Sequence, residues 1–146
     1  RREKAEKEAA RMAADAEAFI AHVANIAPDD PDLYCAVTLA GALIGIVNLD
    51  QRSRGMNLGY WLGKPYWGHG YMTEAAMALT AHFFAIRRDP AITSGHLSGN
   101  EASANVLQKL GFEEAGRSTS YSGPEGRDMP SVEMILTRAR FKALHA

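Results

Sequence analysis

Two glycines near the middle of the chain, Gly68 and Gly70, stand between an apolar run and a helical pattern that starts at Thr73. Glycine lets the backbone take positive φ values and bring its N–H groups close to a ligand. The start of a helix adds N–H groups that have no partner inside the helix, together with the positive end of the helix dipole. Such a turn binds anions, so this stretch predicts a site for a phosphate-bearing ligand.

Three known phosphate-binding patterns can be compared with this turn. A P-loop needs Gly, four residues and then Gly-Lys-Ser/Thr, and the dinucleotide-binding turn needs Gly-x-Gly-x-x-Gly. Neither is present. Residues 67–72 resemble instead the Gln/Arg-x-x-Gly-x-Gly/Ala loop that binds the pyrophosphate of acetyl-CoA in the GNAT family of N-acetyltransferases, in the form found in ribosomal-protein N-terminal acetyltransferases. Trp67 stands where the wider family has Gln or Arg, and Met72 stands where Gly or Ala is expected, so the Met72 side chain must point away from the pyrophosphate.

A second block favours the same family over an ordinary glycine-rich connection between a strand and a helix. Residues 100–112 read Asn-Glu-Ala-Ser-Ala-Asn-Val-Leu-Gln-Lys-Leu-Gly-Phe. This resembles the Asn-x-x-Ser-x-x-x-Leu-x-Lys-x-Gly-Phe block of the same branch. The resemblance covers residues 33–138 and implies a GNAT fold of the α/β (α+β) class, a mixed, mostly antiparallel sheet flanked by helices, with splayed central strands that hold acetyl-CoA.

The resemblance also implies an activity. Members of the family transfer the acetyl group of acetyl-CoA directly to a primary amine in a ternary complex, without an acyl-enzyme. The branch suggests the α-amino group at a protein N-terminus as the acceptor. A small-molecule amine is an alternative acceptor, and a module of the same fold that binds acetyl-CoA without turnover is an alternative of a different class.

The resemblance assigns the acetyl-CoA contacts to three short segments. The backbone N–H groups of residues 68–73 would bind the pyrophosphate, the strand edge at Trp61 and Leu62 would pair with the pantetheine amides, and an N–H near Leu62 would stabilise the thioester oxyanion. Asn100 would bind the pantetheine or cap the helix that follows it. The predicted acetyl-CoA site comprises Trp61, Leu62, Gly68, His69, Gly70, Tyr71, Met72, Thr73, Asn100 and Ser103.

Two residues are candidates for proton transfer. Many family members carry a Tyr at the position of Leu107 to protonate the leaving thiolate. In its absence Ser103 is the candidate donor, with a hydrogen bond to CoA or a helix cap as the alternatives. His96 is the candidate base that deprotonates the amine, and Asn48, Asp50 and Glu133 stay open as alternatives.

Composition restricts the class of protein. The chain has 146 residues, of which 47% are hydrophobic and 23% charged, and a net charge of −1. A near-neutral chain without a basic stripe does not predict nucleic-acid binding. The apolar runs are shorter than the roughly 20 residues that span a bilayer. No signal-peptide pattern is recognised and a single cysteine fits a reducing compartment, so we expect a cytoplasmic protein. One cysteine, Cys35, excludes an internal disulfide and is expected to be buried, and the histidines show no metal-ligand spacing, so no metal is predicted.

Hydrophobic periodicity predicts one domain over residues 1–146. The predicted elements are an amphipathic helical region over 1–27, strands over 33–39, 42–49 and 56–62, a helix over 73–86, a strand over 91–98, a helix over 102–110, and strands over 112–121 and 131–136. A tight turn at Ala40 and Gly41, a loop over 50–55, a Thr73 cap and a left-handed Gly111 join or end these elements. The first strand of the family is not visible before this helical region. The hairpin around Gly123 offers a surface for a second subunit, so a homodimer is considered beside a monomer.

Overall fold

The computed structural model of the chain describes residues 32–145. In chain order its elements are β1 (Leu33–Leu39), β2 (Ala42–Arg52), β3 (Gly55–Leu62), a short 3-10 turn (Lys64–Tyr66), α1 (Tyr71–Ile86), β4 (Ala91–Leu97), α2 (Glu101–Leu110), β5 (Glu113–Ser122), β6 (Arg127–Thr137) and α3 (Arg138–His145). The helical region predicted over residues 1–27 lies outside the described residues.

The strands form one six-stranded sheet in the order β1-β2-β3-β4-β6-β5. The pairing is antiparallel except between β3 and β4, which are parallel. The β1–β2 turn lies at Ala40 and Gly41, where the sequence predicts it, and both residues have positive φ, which is usual for glycine and uncommon for alanine. The predicted mixed, mostly antiparallel sheet flanked by helices is confirmed.

The two central strands part soon after they meet. The ladder between β3 and β4 contains one residue pair, Asn57 with Thr93. Next to it the Ser94 hydroxyl donates to the carbonyl oxygen of Leu58 at 2.8 Å, so a side chain continues the link where the backbones have begun to separate. Strand β4 keeps its antiparallel pairing with β6 from Ala91 to Leu97. The predicted splay is therefore present, and it opens between the carboxyl ends of β3 and β4.

The core lies between one face of the sheet and the helices. Alternating residues of the strands point to this face, as expected for a half-buried sheet. The apolar stripe of α1 is buried against them, and so is one face of β6. Together with two residues of α2, the core members of these elements are Val47, Leu49, Met56, Leu58, Met72, Ala76, Leu79, Phe83, Phe84, Ile92, Leu107, Leu110, Val132, Met134 and Leu136.

One strand is markedly longer than predicted, and one helix was not predicted. Strand β2 continues to Arg52, and the loop predicted over residues 50–55 is a turn at Ser53 and Arg54. The exposed end of the strand is polar, so its sequence looks like a loop, but it pairs with β3 and the Gln51 N–H donates to Asp32 at 2.8 Å. Helix α3 has no predicted counterpart.

Helix α3 depends on contacts with distant parts of the chain. Phe141 is buried and its ring lies 5.3 Å from that of Phe84. The Arg138 guanidinium donates to the carbonyl oxygen of Phe84 at 2.6 Å and also to that of Arg87. These bonds satisfy carbonyl groups at the end of α1, which have no partner inside that helix. Within residues 32–145 no helix is long and apolar enough to cross a membrane.

The expected burial of Cys35 is wrong. Its side chain is exposed. Within residues 32–145 strand β1 lies at the edge of the sheet, and all of its residues are exposed or half-buried. The apolar run around Cys35 is enough to predict a strand, but it does not distinguish an edge strand from a central one.

Candidate functional site

A cleft of about 450 Å³ opens beside the end of β3, where α1 and α2 begin. Among the described residues that line it, Lys109 carries the one positive side-chain charge, and no Asp or Glu is present. Its electrostatics therefore suit an anionic ligand. The lining residues are Tyr60, Trp61, Leu62, Tyr66, Trp67, Gly68, Gly70, Tyr71, Met72, Thr73, Asn100, Ala102, Ser103, Asn105, Val106 and Lys109.

The two glycines of the predicted phosphate loop both adopt left-handed conformations. Gly68 has φ 79° and Gly70 has φ 78°. A Cβ atom built on either would meet nothing within 4 Å, so the loop is open on this side. The structure thus shows the backbone conformation that a glycine turn needs for close approach of a ligand.

Helix α1 begins without a side-chain cap. Its N-cap is Gly70, which has no side chain to accept a hydrogen bond. The first bond of the helix runs from the Glu74 N–H to the Gly70 carbonyl oxygen at 3.0 Å. The N–H groups of Tyr71, Met72 and Thr73 therefore have no acceptor inside the helix, and they lie in residues that line the cleft. An anion placed there would accept from these groups and meet the positive end of the helix dipole.

The predicted Thr73 cap is wrong, because the helix starts earlier. The left-handed Gly70 turns the chain into the helix at Tyr71, so Thr73 is already helical and lines the cleft. The Met72 side chain is 4% exposed and belongs to the core. This side chain is therefore packed among apolar neighbours.

The end of β3 directs free backbone groups toward the splay. The Gly63 N–H donates to Ile44 on β2 at 3.1 Å. The N–H and C=O groups of successive residues in a strand point to opposite sides, so those of Tyr60 and Leu62 point away from β2. The Leu62 carbonyl oxygen accepts from the Trp67 indole Nε1 at 2.7 Å, which ties the glycine loop to the strand. The Leu62 N–H remains directed toward the cleft.

Helix α2 begins with a side-chain cap. The Asn100 side-chain oxygen accepts from the Ser103 N–H at 3.2 Å. This is the capping alternative predicted for Asn100. At the other end Gly111 has φ 107°, which confirms the predicted left-handed end of the helix.

Ser103 lines the cleft and forms a hydrogen-bonded pair with a residue of β3. The Tyr60 hydroxyl lies 2.7 Å from Ser103 Oγ and 3.1 Å from the Ser103 carbonyl oxygen. Burial raises the pKa of the Tyr60 phenol, and its hydrogen bond with Ser103 offsets part of that rise. The phenol is therefore neutral at pH 7.

Tyr60 is absent from the residues predicted for the site. Its signal in the sequence is the alternation along β3, which puts it on the same face as Leu58 and Leu62. Leu107, at the family position for Tyr, is fully buried in the core. The phenol nearest to Ser103 therefore comes from the sheet and not from α2.

Neither of the two predicted histidines is among the residues that line the cleft. His96 Nδ1 is 3.0 Å from the carbonyl oxygen of its own neighbour Leu97, and His96 is not one of the lining residues described above. His69 is exposed, and its ring stacks on that of Tyr71 with 5.3 Å between centroids. The structure brings together the other predicted acetyl-CoA residues and Ser103 around one cleft.

The alternative candidates for the base already have polar partners. The Glu133 carboxylate pairs with Arg54 at 2.7 Å. Asp50 accepts from Asn48 at 3.1 Å and from Arg52 at 3.0 Å. Within residues 32–145 no group of three His, Cys, Asp or Glu side chains is placed to hold a metal.

Sequence comparison relates the chain to one enzyme family. The acetyltransferase (GNAT) domain family matches residues 3–113. A curated relative, the ribosomal protein uS5-alanine N-acetyltransferase of Escherichia coli, is 29% identical over 99 residues, which cover 65% of this chain and 51% of that protein. The chain spans about half the length of this relative.

Solved structures share the fold. The ribosomal-protein-S5-alanine acetyltransferase of Vibrio fischeri superimposes with a TM-score of 0.62 and 25% identity, over 69% of this chain and 57% of that one. Mycobacterium smegmatis RimJ, solved in complex with CoA-disulfide, superimposes with a TM-score of 0.66 and 23% identity, over 74% of this chain and 54% of that one. At this identity the second likeness concerns the fold alone.

Proposed function

Because the chain belongs to the acetyltransferase (GNAT) domain family, we propose that it binds acetyl-CoA in the cleft and transfers the acetyl group to a primary amine. The observation that carries this proposal is the uncapped, left-handed glycine start of α1 at the mouth of the splay. A pyrophosphate fits this turn, since it can accept from several backbone N–H groups at once.

The strand end supports the placement of the rest of the donor. Pantetheine is an extended chain with amide groups, so it can pair with an unpaired strand edge in the manner of an added strand. The backbone groups of Tyr60 and Leu62 offer such an edge beside β3. We assign the Leu62 N–H to the thioester oxygen, where one donor of this kind contributes about 3–4 kcal/mol in the transition state.

The reaction then needs few side chains. The amine nitrogen attacks the thioester carbon, a C–N bond forms, and the oxygen becomes an anion that the Leu62 N–H stabilises. Collapse of this intermediate breaks the C–S bond and expels the CoA thiolate. Ser103 donates a hydrogen bond to the departing sulfur, and the nitrogen gives up its proton to a base or to water. His96 stays a proposed base and acts through water, because its ring lies outside the lining of the cleft.

For the acceptor we propose an α-amino group at a protein N-terminus. The names of the E. coli and V. fischeri relatives, which acetylate an alanine of a ribosomal protein, support this choice. A small-molecule amine is the alternative acceptor. Release of CoA thiol in a panel of Ala-initiated peptides and simple amines tests the choice, and turnover with simple amines alone would overturn it.

Donor binding is tested by calorimetric titration with acetyl-CoA, with ADP and NAD as controls. At a hundredfold excess over the dissociation constant, binding should stabilise the fold by about 2.7 kcal/mol, which is visible as a rise in melting temperature. Selective binding of acetyl-CoA is the expected result. Equal binding of all three ligands, or none by a folded sample, would contradict the proposal.

A binding module without turnover is the second candidate. It is favoured by two observations, the buried Leu107 at the family position for Tyr and the ion pair that engages Glu133. Tight acetyl-CoA binding without thiol release across the amine panel would support it and would exclude the enzyme.

A further inference from the structure

We propose that Tyr60 positions the Ser103 hydroxyl, so that its hydrogen points into the cleft and stabilises the thiolate that leaves from CoA. The inference rests on the proposed function, because it concerns the departing sulfur of acetyl-CoA. It adds a role for a residue that neither the glycine loop nor the Asn100 block contains.

The geometry that carries the inference is a hydroxyl pair across the cleft. Tyr60 lies on β3 and Ser103 lies in the first turn of α2, so the pair spans the splay. Their hydroxyl oxygens are 2.7 Å apart, which is the optimal length for an O–H···O hydrogen bond. Both residues also line the cleft.

The direction of this hydrogen bond decides what Ser103 can do. A phenol has one hydrogen, which can go either to Ser103 Oγ at 2.7 Å or to the Ser103 carbonyl oxygen at 3.1 Å. The Ser103 carbonyl group also points along the helix axis, where it can accept a backbone hydrogen bond of α2. Because the contact to Oγ is the shorter one, we assign the Tyr60 hydrogen to Ser103 Oγ. The Ser103 hydrogen is then free to donate to a second acceptor inside the cleft.

The chemistry of the two hydroxyls explains the need for a pair. A lone serine hydroxyl rotates and spends part of its time bonded to the backbone of its own helix. A phenol that donates to Oγ removes this freedom and polarises the Ser103 O–H bond, which makes it a better donor. Burial raises the pKa of Tyr60, so the phenol keeps its hydrogen throughout the neutral range. No proton needs to move from Tyr60, and the thiolate later takes its proton from water.

The direct readout is the pKa of the CoA thiol when CoA is bound at saturation, followed by the ultraviolet absorbance of the thiolate. In the wild type this pKa should lie below that of free CoA, since the bound anion receives a hydrogen bond. Tyr60→Phe should raise it by about one unit relative to the wild type, and Ser103→Ala by at least as much. Lys109, Tyr66 and Tyr71 are the other titratable groups of the cleft, and they are common to all variants.

Turnover supplies the second readout. Tyr60→Phe should lower kcat about tenfold while the dissociation constant of acetyl-CoA changes less than threefold. In a Ser103→Ala background the same change should have no further effect on kcat, because the group that Tyr60 positions is gone. Ser103→Thr, which keeps a hydroxyl, should recover part of the loss. Tyr121→Phe, on the exposed part of β5, is the control and should leave both readouts unchanged.

The outcomes separate the inference from the function on which it rests. CoA that binds with the same thiol pKa in the wild type and in Tyr60→Phe would overturn the role of Tyr60 and leave the acetyltransferase proposal intact. Additive losses of kcat in the double variant would also overturn it. A folded wild type that binds no CoA would overturn both.

Discussion

Helices α1 and α2 begin at the same cleft, but their first turns are satisfied in different ways. Helix α1 begins at the left-handed Gly70 and has no side-chain cap, whereas Asn100 closes the first turn of α2 by accepting from the Ser103 N–H. An open first turn can take an anionic ligand, while a closed one holds a side chain in a fixed place. The comparison indicates that α1 supplies backbone donors to the cleft and α2 supplies the Ser103 hydroxyl.

The largest effect is expected from Gly70→Asp. The new carboxylate would enter the open side of the loop and repel a phosphate there, while the helix would gain a cap that competes for the same N–H groups. Loss of two charge-assisted hydrogen bonds corresponds to at least about a hundredfold weaker binding of acetyl-CoA. Calorimetric titration measures this directly.

Backbone strain needs its own control in this experiment. Gly41→Asp is matched, because Gly41 has φ 83° and its Cβ position is equally open, but it lies in the β1–β2 turn. Both variants should lose about 1–2 kcal/mol of stability from the left-handed conformation. If Gly41→Asp weakened acetyl-CoA binding as much as Gly70→Asp, the phosphate would not lie at α1.

Asn100→Ala should lower the stability of the fold more than the affinity for acetyl-CoA, whereas Gly70→Asp should mainly lower the affinity. Removal of the cap leaves the Ser103 N–H without its acceptor and costs about 1 kcal/mol, which corresponds to roughly 2–4 °C in melting temperature. Affinity for acetyl-CoA should fall by less than tenfold, because the backbone donors of α1 are untouched. Asn100→Asp keeps an equally good cap and should retain the melting temperature. A variant that kept its stability but lost acetyl-CoA binding would make Asn100 a ligand contact and not a cap.

A smaller effect is expected from Trp67→Phe, which tests how the open loop is held. The change removes the indole donor to the Leu62 carbonyl oxygen but keeps an aromatic ring. A hydrogen bond of this kind contributes about 1 kcal/mol, so acetyl-CoA should bind roughly fivefold more weakly. Trp61→Phe makes the same change of ring in the same cleft and is the comparison. Equal losses in the two variants would mean that ring size matters and that the tie between loop and strand does not.

Features that form within a few residues could be predicted from the sequence, whereas contacts between distant residues could not. Gly68 and Gly70 form their turn locally, and so do the Asn100 cap and the left-handed Gly111, so residue types and spacing were enough. Tyr60 and Ser103 meet only because the sheet places β3 beside α2, and nothing near either residue predicts the contact. Helix α3 is similar, since Arg138 and Phe141 are held by the distant end of α1. The local features were therefore predictable, although α1 begins at Tyr71 and not after a Thr73 cap, whereas pairs made by the tertiary fold were not.

The smallest effect concerns the pH dependence of stability that Tyr60 brings to the cleft. Burial raises the pKa of Tyr60 in the folded chain above the ordinary 10.0. At a pH between 10.0 and this raised pKa, the unfolded chain has lost the phenol proton while the folded chain keeps it. The free energy of unfolding of the wild type should therefore fall with rising pH above about 10, more steeply than that of Tyr60→Phe, and the two slopes should agree below that pH. Denaturant titrations at a series of pH values measure the difference, in which the titrations of the other tyrosines and the lysines cancel. Parallel curves through the alkaline range would mean that the phenol titrates as freely in the folded chain as in the unfolded one, and Tyr60 would then not be buried in the protein in solution.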